Sequence, residues 1–215
     1  MPPLNTVLFD LDGTLIDSIQ LIIDSYHHTL EVHGIPARTD REWLDGIGTP
    51  LRVQFAEWAH DESQMEAMIS TYRDYNIFHH DSRVTVYPGV VEMVRAVRAA
   101  GCRTGIVTSK NRVGAFRGLR LAGLDDAMDV VIGADDVTNP KPHREPVDKA
   151  IAHLSADPST TVYVGDSIHD MHSGRSAGVR TAAVLWGPFG RPDLEPASPD
   201  HWLHHPHELV TLLGA

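Results

Sequence analysis

Hydrophobic residues follow two rhythms along this chain. Short unbroken apolar runs stand at Val7-Leu8-Phe9, Thr104–Thr108, Asp129–Ile132, Thr161–Gly165 and Arg180–Leu185, each the length of a buried strand. Between them apolar residues recur every three or four positions, as helices require. Ile19, Ile22, Tyr26 and Leu30 make one such stripe, which Asp17 or Ser18 can cap and which Gly34 and Pro36 end. Helical pieces follow at Arg41–Leu44, Leu51–His60 and Glu62–Phe78, with no strand pattern from Asp17 to about Ser82. That block reads as a small helical insertion.

The pattern changes at Arg83. Pro88-Gly89 opens a helix carrying Val90, Val94 and Val97, and Gly101 closes it. A helix runs to about Ala122, and others cover Val147–Leu154 and Ile168–Ala177, before a last strand and helix. Strands alternating with helices of this length predict an α/β fold with a doubly wound parallel sheet.

Composition narrows the function. The chain has 215 residues, 42% of them apolar, enough for a sizeable core. Its net charge of -11 argues against a nucleic-acid binder and against an anionic membrane surface. An acidic protein that handles phosphate needs a local cation, and a bound divalent metal is the usual one. Cys102 is the single cysteine, so no internal disulfide forms, and a reducing, cytoplasmic setting is expected. The opening residues carry no basic segment or long apolar segment, which reads against a signal peptide, and no apolar run spans a membrane.

Ligands of such sheets bind beyond the C-terminal strand ends. Three strands end in chemically suggestive residues: Asp10 and Asp12, Thr108 and Ser109, and Gly165-Asp166. Asp10 and Asp12, two apart, repel each other unless a cation compensates them. If they continue the strand, period two sends both to the same side. Asp170 lies four residues after Asp166, on the same side of a first helical turn; helix capping and metal binding both explain the pair. Together with Asp10 and Asp12 these are oxygen-only ligands, which suit Mg²⁺. Lys141 stands between two prolines, a positioned charge. The assembled chemistry is phosphoryl transfer through a carboxylate nucleophile.

The order Asp10-Leu11-Asp12-Gly13-Thr14, then Thr108-Ser109, then Lys141-Pro142, then Gly165-Asp166 with Asp170 resembles the haloacid dehalogenase superfamily in its phosphatase branch. The resemblance covers nearly the whole chain. It implies a Rossmann-like core of residues 1–16 and 83–215 with a helical cap of residues 17–82 inserted after the first strand. It implies Asp10 as nucleophile and Asp12 as general acid/base. Thr108 and Lys141, with Ser109 beside them, become phosphate binders. Asp10, Asp12 through its carbonyl, and Asp166 become Mg²⁺ ligands, with Asp170 binding directly or through water.

Within the superfamily the chain is similar to phosphoglycolate phosphatases and to inorganic pyrophosphatases. The segment Gly46–Arg52 resembles their substrate-facing loop, which makes Gly48, Thr49 and Arg52 specificity candidates, Arg52 as a fork for a second anionic group. Tyr72-Arg73-Asp74-Tyr75-Asn76, with His80-Asp81, leans toward the pyrophosphatases. The expected activity is hydrolysis of a small phosphorylated metabolite, phosphoglycolate first and pyrophosphate as the alternative. A β-phosphoglucomutase-like mutase and a non-catalytic binding protein of the same fold are the rivals. The expected partner is a small-molecule phosphate substrate; monomer and homodimer both remain open. Asp135-Asp136 reads as a solvated turn, and the C-terminal histidines His201, His204, His205 and His207 fit no compact ligand set.

Overall fold

The computed structural model describes residues 2–214. Six parallel strands form the central sheet: β1 (Thr6–Phe9), β4 (Arg103–Val107), β5 (Val130–Ile132), β6 (Thr161–Gly165), β7 (Arg180–Val184) and β8 (His201–Leu203), in the order β5-β4-β1-β6-β7-β8. The chain leaves central β1 for β4 and β5 on one side, then returns to build β6, β7 and β8 on the other. That reversal puts the topological switch point beside β1, where α/β folds bind ligands. Helices α5 (Val90–Ala99), α6 (Arg112–Ala122), α7 (Glu145–Leu154), α8 (Ile168–Ala177), α9 (Arg191–Leu194) and α10 (His207–Leu213) complete the crossovers and the C-terminal end.

The strands are apolar on both faces because helices cover both. Val7, Phe9, Ile106, Val162 and Val164 join one buried cluster with Val90, Val94 and Leu119, and Leu8, Val107 and Tyr163 join another with Val147 and Ile151. Neither face alternates with polar residues, as a sheet covered on both sides requires.

Register sets up the site. Phe9 pairs with Ile106 of β4 and Val164 of β6. Asp10 therefore stands level with Val107 and Gly165, and Thr108 and Asp166 follow one step beyond, all on one edge of the sheet.

Between β2 (Ile16–Asp17) and β3 (Thr85–Val86), which pair antiparallel, lie four helices: α1 (Ile19–Val32), α2 (Asp40–Gly46), α3 (Leu51–Phe55) and α4 (Glu62–Arg83). They enclose a cluster of their own, rich in aromatics. Tyr26 stacks on Trp43 at 4.3 Å between ring centroids and meets Phe55 edge-on at 5.6 Å. Two differences from the sequence pattern stand out. The two-residue β2 and β3 are too short to leave a periodic signal. And α4 runs to Arg83 rather than Phe78, through the polar stretch His79–Arg83, because tertiary contacts there replace the apolar stripe. No helix of the described residues is long and apolar enough to cross a membrane.

Candidate active site

The floor of the site is built where β1, β4 and β6 end. Asp10 is 5% exposed, Asp166 1% and Asp170 0%, and one oxygen from each lies within 4.8 Å of the others. Lys141, 3% exposed, is the ammonium among them, 2.6 Å from Asp170 Oδ1 and 3.1 Å from Asp10 Oδ1. Three carboxylates around one ammonium leave negative charge in excess, in a place shielded from water. Burial, reinforced by the charges of Asp170 and Asp12, pushes Asp10 up to about 7 despite Lys141. Burial and the neighbouring Asp170 and Asp10 carry Asp166 well above the ordinary carboxylate range. Burial also raises Asp170, but Lys141 and the hydrogen bonds it receives outweigh that and hold it below. Burial lowers Lys141, yet Asp10 and Asp170 raise it further, so it stays charged.

Two buried oxygens on this floor, Asp10 Oδ1 and Asp166 Oδ2, accept no hydrogen bond. Lys141 lies near enough to Asp10 Oδ1 for charge attraction but outside hydrogen-bond geometry. Unsatisfied buried acceptors among excess negative charge are what a divalent cation would complete, so the residues fit a hard, oxygen-loving metal. Gly13 makes room for it. Its φ is +82°, and a Cβ there would stand 2.5 Å from Asp166 Oδ2.

Supporting hydrogen bonds hold these groups. Thr14 Oγ1 donates to Asp166 Oδ1 at 2.6 Å. Of the two roles its position suggested, Asp170 fills that of helix cap. Its Oδ2 accepts from the backbone N–H and hydroxyl of Ser167 in a capping box at the start of α8, while Oδ1 accepts from Lys141 and from Tyr163 Oη at 2.8 Å. A carboxylate with both oxygens so occupied has less capacity left for a cation than Asp10 or Asp166.

Asp12 stands apart. The strand ends at Phe9, so period two no longer governs Asp10 and Asp12, and their carboxylates go to different cations. Asp12 is clamped by Lys110 Nζ, at 2.8 Å and 3.0 Å from its two oxygens, and receives Ser18 Oγ at 2.6 Å. Burial raises it, but the Lys110 charge and these hydrogen bonds more than compensate, and Asp12 is held below the ordinary range as a carboxylate. Its side chain is not part of the three-carboxylate cluster.

Above the floor is a chamber of about 440 Å³ between the sheet edge and the four-helix block. Its lining brings together Asp10, Asp12, Thr108, Ser109, Gly48, Thr49 and Arg52. Thr108 is buried, and its Oγ1 accepts from the Lys110 N–H. Ser109, expected beside phosphate, instead donates its hydroxyl to the Gly48 carbonyl at 2.6 Å, tying the core to the Gly46–Pro50 loop. Thr49 Oγ1 donates to the Gly46 carbonyl and steadies that loop. Arg52 is not the open fork the sequence suggested: it pairs with both Glu62 and Glu66. Lys110, Thr14, Ser18, Ser167 and Tyr163 are the contributors that sequence reasoning passed over. Thr14 and Ser167 lay inside the recognised motifs, and Lys110 directly follows Thr108-Ser109, so adjacency was the available signal.

A model of haloacid dehalogenase-like hydrolases matches residues 7–184. The chain belongs to this family. It is 45% identical over 212 residues to pyrophosphatase PpaX of Bacillus cereus, covering 98% of this chain and 97% of that one. The PpaX of Anoxybacillus flavithermus is 44% identical over the same coverage. A haloacid dehalogenase-like hydrolase from Bacteroides fragilis superposes with a TM-score of 0.89 at 29% identity, over 96% of this chain and 99% of that one. A hydrolase from Pseudomonas syringae, at 23% identity and a TM-score of 0.88 over 98% of each chain, shares the fold. This haloacid dehalogenase-like protein is therefore a phosphate-ester hydrolase of a family that generally uses a divalent metal. Among substrates, the relatives favour the pyrophosphatase alternative over the phosphoglycolate expectation.

Proposed function

We propose that this hydrolase cleaves inorganic pyrophosphate, using Mg²⁺ and an aspartyl-phosphate on Asp10. The observation that carries the substrate is the chamber wall. Arg52 of α3, Arg73 of α4, Lys110 and Arg117 of α6 all line it. A leaving group that is itself a phosphoryl anion meets these cationic groups there, most of them already paired with carboxylates, and whole-length likeness to proteins named pyrophosphatase supports the choice. Residues 17–82 act as a cap in this reading, closing over a small substrate and excluding water.

Asp10, at the strand end, is the nucleophile. Its carboxylate oxygen bonds to one phosphorus, and the bond from that phosphorus to the bridging oxygen breaks, with the electron pair leaving on orthophosphate. Asp12 acts as acid/base. Held as a carboxylate by Lys110, it is ready to take a proton from the water that then attacks the aspartyl-phosphate and frees Asp10. When Asp12 is protonated it supplies that proton to the departing phosphate, which needs less help than an alcohol would. Thr108 and Lys141 hold the equatorial oxygens. Asp10, Asp166 and the Asp12 carbonyl would hold the metal, with Asp170 directly or through water. Bound there, a divalent cation offsets the charge that otherwise repels an anionic substrate from an anionic nucleophile.

The test is phosphate release with Mg²⁺ from pyrophosphate, phosphoglycolate and p-nitrophenyl phosphate. Pyrophosphate should give the highest kcat/KM. A higher value for phosphoglycolate would overturn the substrate assignment.

A further inference from the structure

The four cations of the chamber wall are not equivalent, and their partners separate them. Arg52 carries two carboxylates, Glu62 and Glu66, so its neighbourhood is net negative. Arg117 is held by three hydrogen bonds: two to Asp81, at 2.8 Å and 2.9 Å, and one to the Ile77 carbonyl at 2.8 Å. Lys110 is neutralised by Asp12. Among the described residues Arg73 alone in this set has no carboxylate within ion-pair distance. It sits in the long helix α4, and Asn76 and Ile77, three and four residues on and hence on the same face, also line the chamber.

A paired guanidinium offers an incoming anion little field and must first give up its partner. An unpaired one keeps its full charge and all five donors, in a fork that fits the oxygens of a phosphoryl group. We infer that Arg73 is the specificity-determining cation of this enzyme, gripping the phosphoryl group of pyrophosphate that departs, while Arg52 stays committed to its glutamates. The inference rests on the pyrophosphatase reading above. It moves the second-anion role from α3 to α4, and it gives the substrate an orientation: one phosphoryl on Asp10 at the floor, the other under Arg73. Because α4 is rigid over many turns, it fixes the distance between the two ends. The position thus selects a compact dianionic tail over a neutral one.

The experiment uses the full chain with Mg²⁺ and compares the parent with Arg73→Gln, Arg73→Lys and Arg52→Gln. Each is measured on pyrophosphate and on p-nitrophenyl phosphate, whose tail is uncharged. Binding of imidodiphosphate, which resists hydrolysis, is measured by calorimetry. Arg73→Gln should lower kcat/KM for pyrophosphate about ten- to a hundredfold, the size of one charge-assisted pair, and leave the aryl phosphate unchanged. Imidodiphosphate should bind more weakly in the same variant. Arg73→Lys should recover part of the loss, and Arg52→Gln should lose less than Arg73→Gln. Equal losses on both substrates, an undiminished pyrophosphate rate, or a larger loss in Arg52→Gln would each remove Arg73 from this role. A parent that does not turn over pyrophosphate would instead sink the substrate reading itself, so the two failures are told apart by which protein shows them. Arg73 is exposed, so its replacement leaves the fold intact, which circular dichroism checks.

Discussion

The floor and the wall of the chamber are built on opposite terms. On the floor, Asp10, Asp166 and Asp170 are buried against a single ammonium, and two of their oxygens have no hydrogen-bond partner. On the wall, Arg52, Glu62 and Glu66 are exposed and pair with one another between the neighbouring helices α3 and α4. Exposed pairs of that kind contribute little to stability and are easily exchanged. Buried, unbalanced carboxylates cost stability and stay because chemistry needs them. The floor is therefore fixed and under strain of charge, and the wall is adjustable. A fold can then retain one reaction while changing its substrate.

The largest test of that contrast is Asp10→Asn. Turnover of pyrophosphate should fall by several powers of ten, since nothing else supplies the nucleophile. In chelator, however, the variant should melt no lower than the parent, because it removes one of the crowded charges whose ordinary ionisation is pushed up to about 7. Thermal melts and phosphate release together check this. Near-normal turnover would break the assignment, and a large loss of stability would break the view of the floor as a strained region.

Next in size is the response to metal. Exhaustive chelation should abolish turnover, and saturating Mg²⁺ should raise the melting temperature by mass action on the folded state. Asp166→Asn should lose most of that rise, because Asp166 Oδ2 is one of the two orphaned acceptors. A rise that survives in Asp166→Asn would place the cation elsewhere.

The same contrast governs what could be read from the sequence. The strands, the crossover helices and the floor residues were legible because each depends on local spacing: a carboxylate one step past a strand, an Asp166–Asp170 pair at a helix start. Register then brings them together without further information. The wall was less legible. Arg52 appeared free because Glu62 and Glu66 lie ten and fourteen residues away, beyond a turn whose path the pattern does not fix. Lys110 was missed because its partner Asp12 is 98 residues distant. The end of α4 was placed short because His79–Arg83 carries no apolar period. Pairing between elements, and helix held by tertiary contact, leave no trace in short-range periodicity.

A third prediction concerns the four-helix block, whose core is separate from that of the sheet. Phe55 is fully buried against Tyr26 and Tyr72. Phe55→Ala should cost about 3–5 kcal/mol, the range for deleting a buried aromatic. Trp43→Phe should cost far less. The buried Trp43 Nε1–H has no acceptor, and removing it relieves part of the lost packing. Urea midpoints of the two variants measure the difference, and equal losses would mean that the indole N–H is satisfied in solution.

The smallest expected effect lies where the two regions meet. Asp81, near the end of α4, accepts from Arg117 of α6 and from His80 Nδ1. Those hydrogen bonds, with the charge of Arg117, depress Asp81 from 3.8 to about 2. A carboxyl group that is more acidic in the folded state stabilises it above the unfolded value. That stabilisation is lost as pH falls through the folded one. The difference in melting temperature between the parent and Asp81→Asn should therefore be constant above about pH 5 and shrink between about pH 4 and pH 2. The amide oxygen of Asn still accepts from His80, while the charge and one of the two hydrogen bonds from Arg117 are lost together. Asp81 is exposed to solvent, so the effect is small, and added salt should reduce it further. A difference that grows on acidification would reverse the sign and show that Asp81 is more acidic in the unfolded chain.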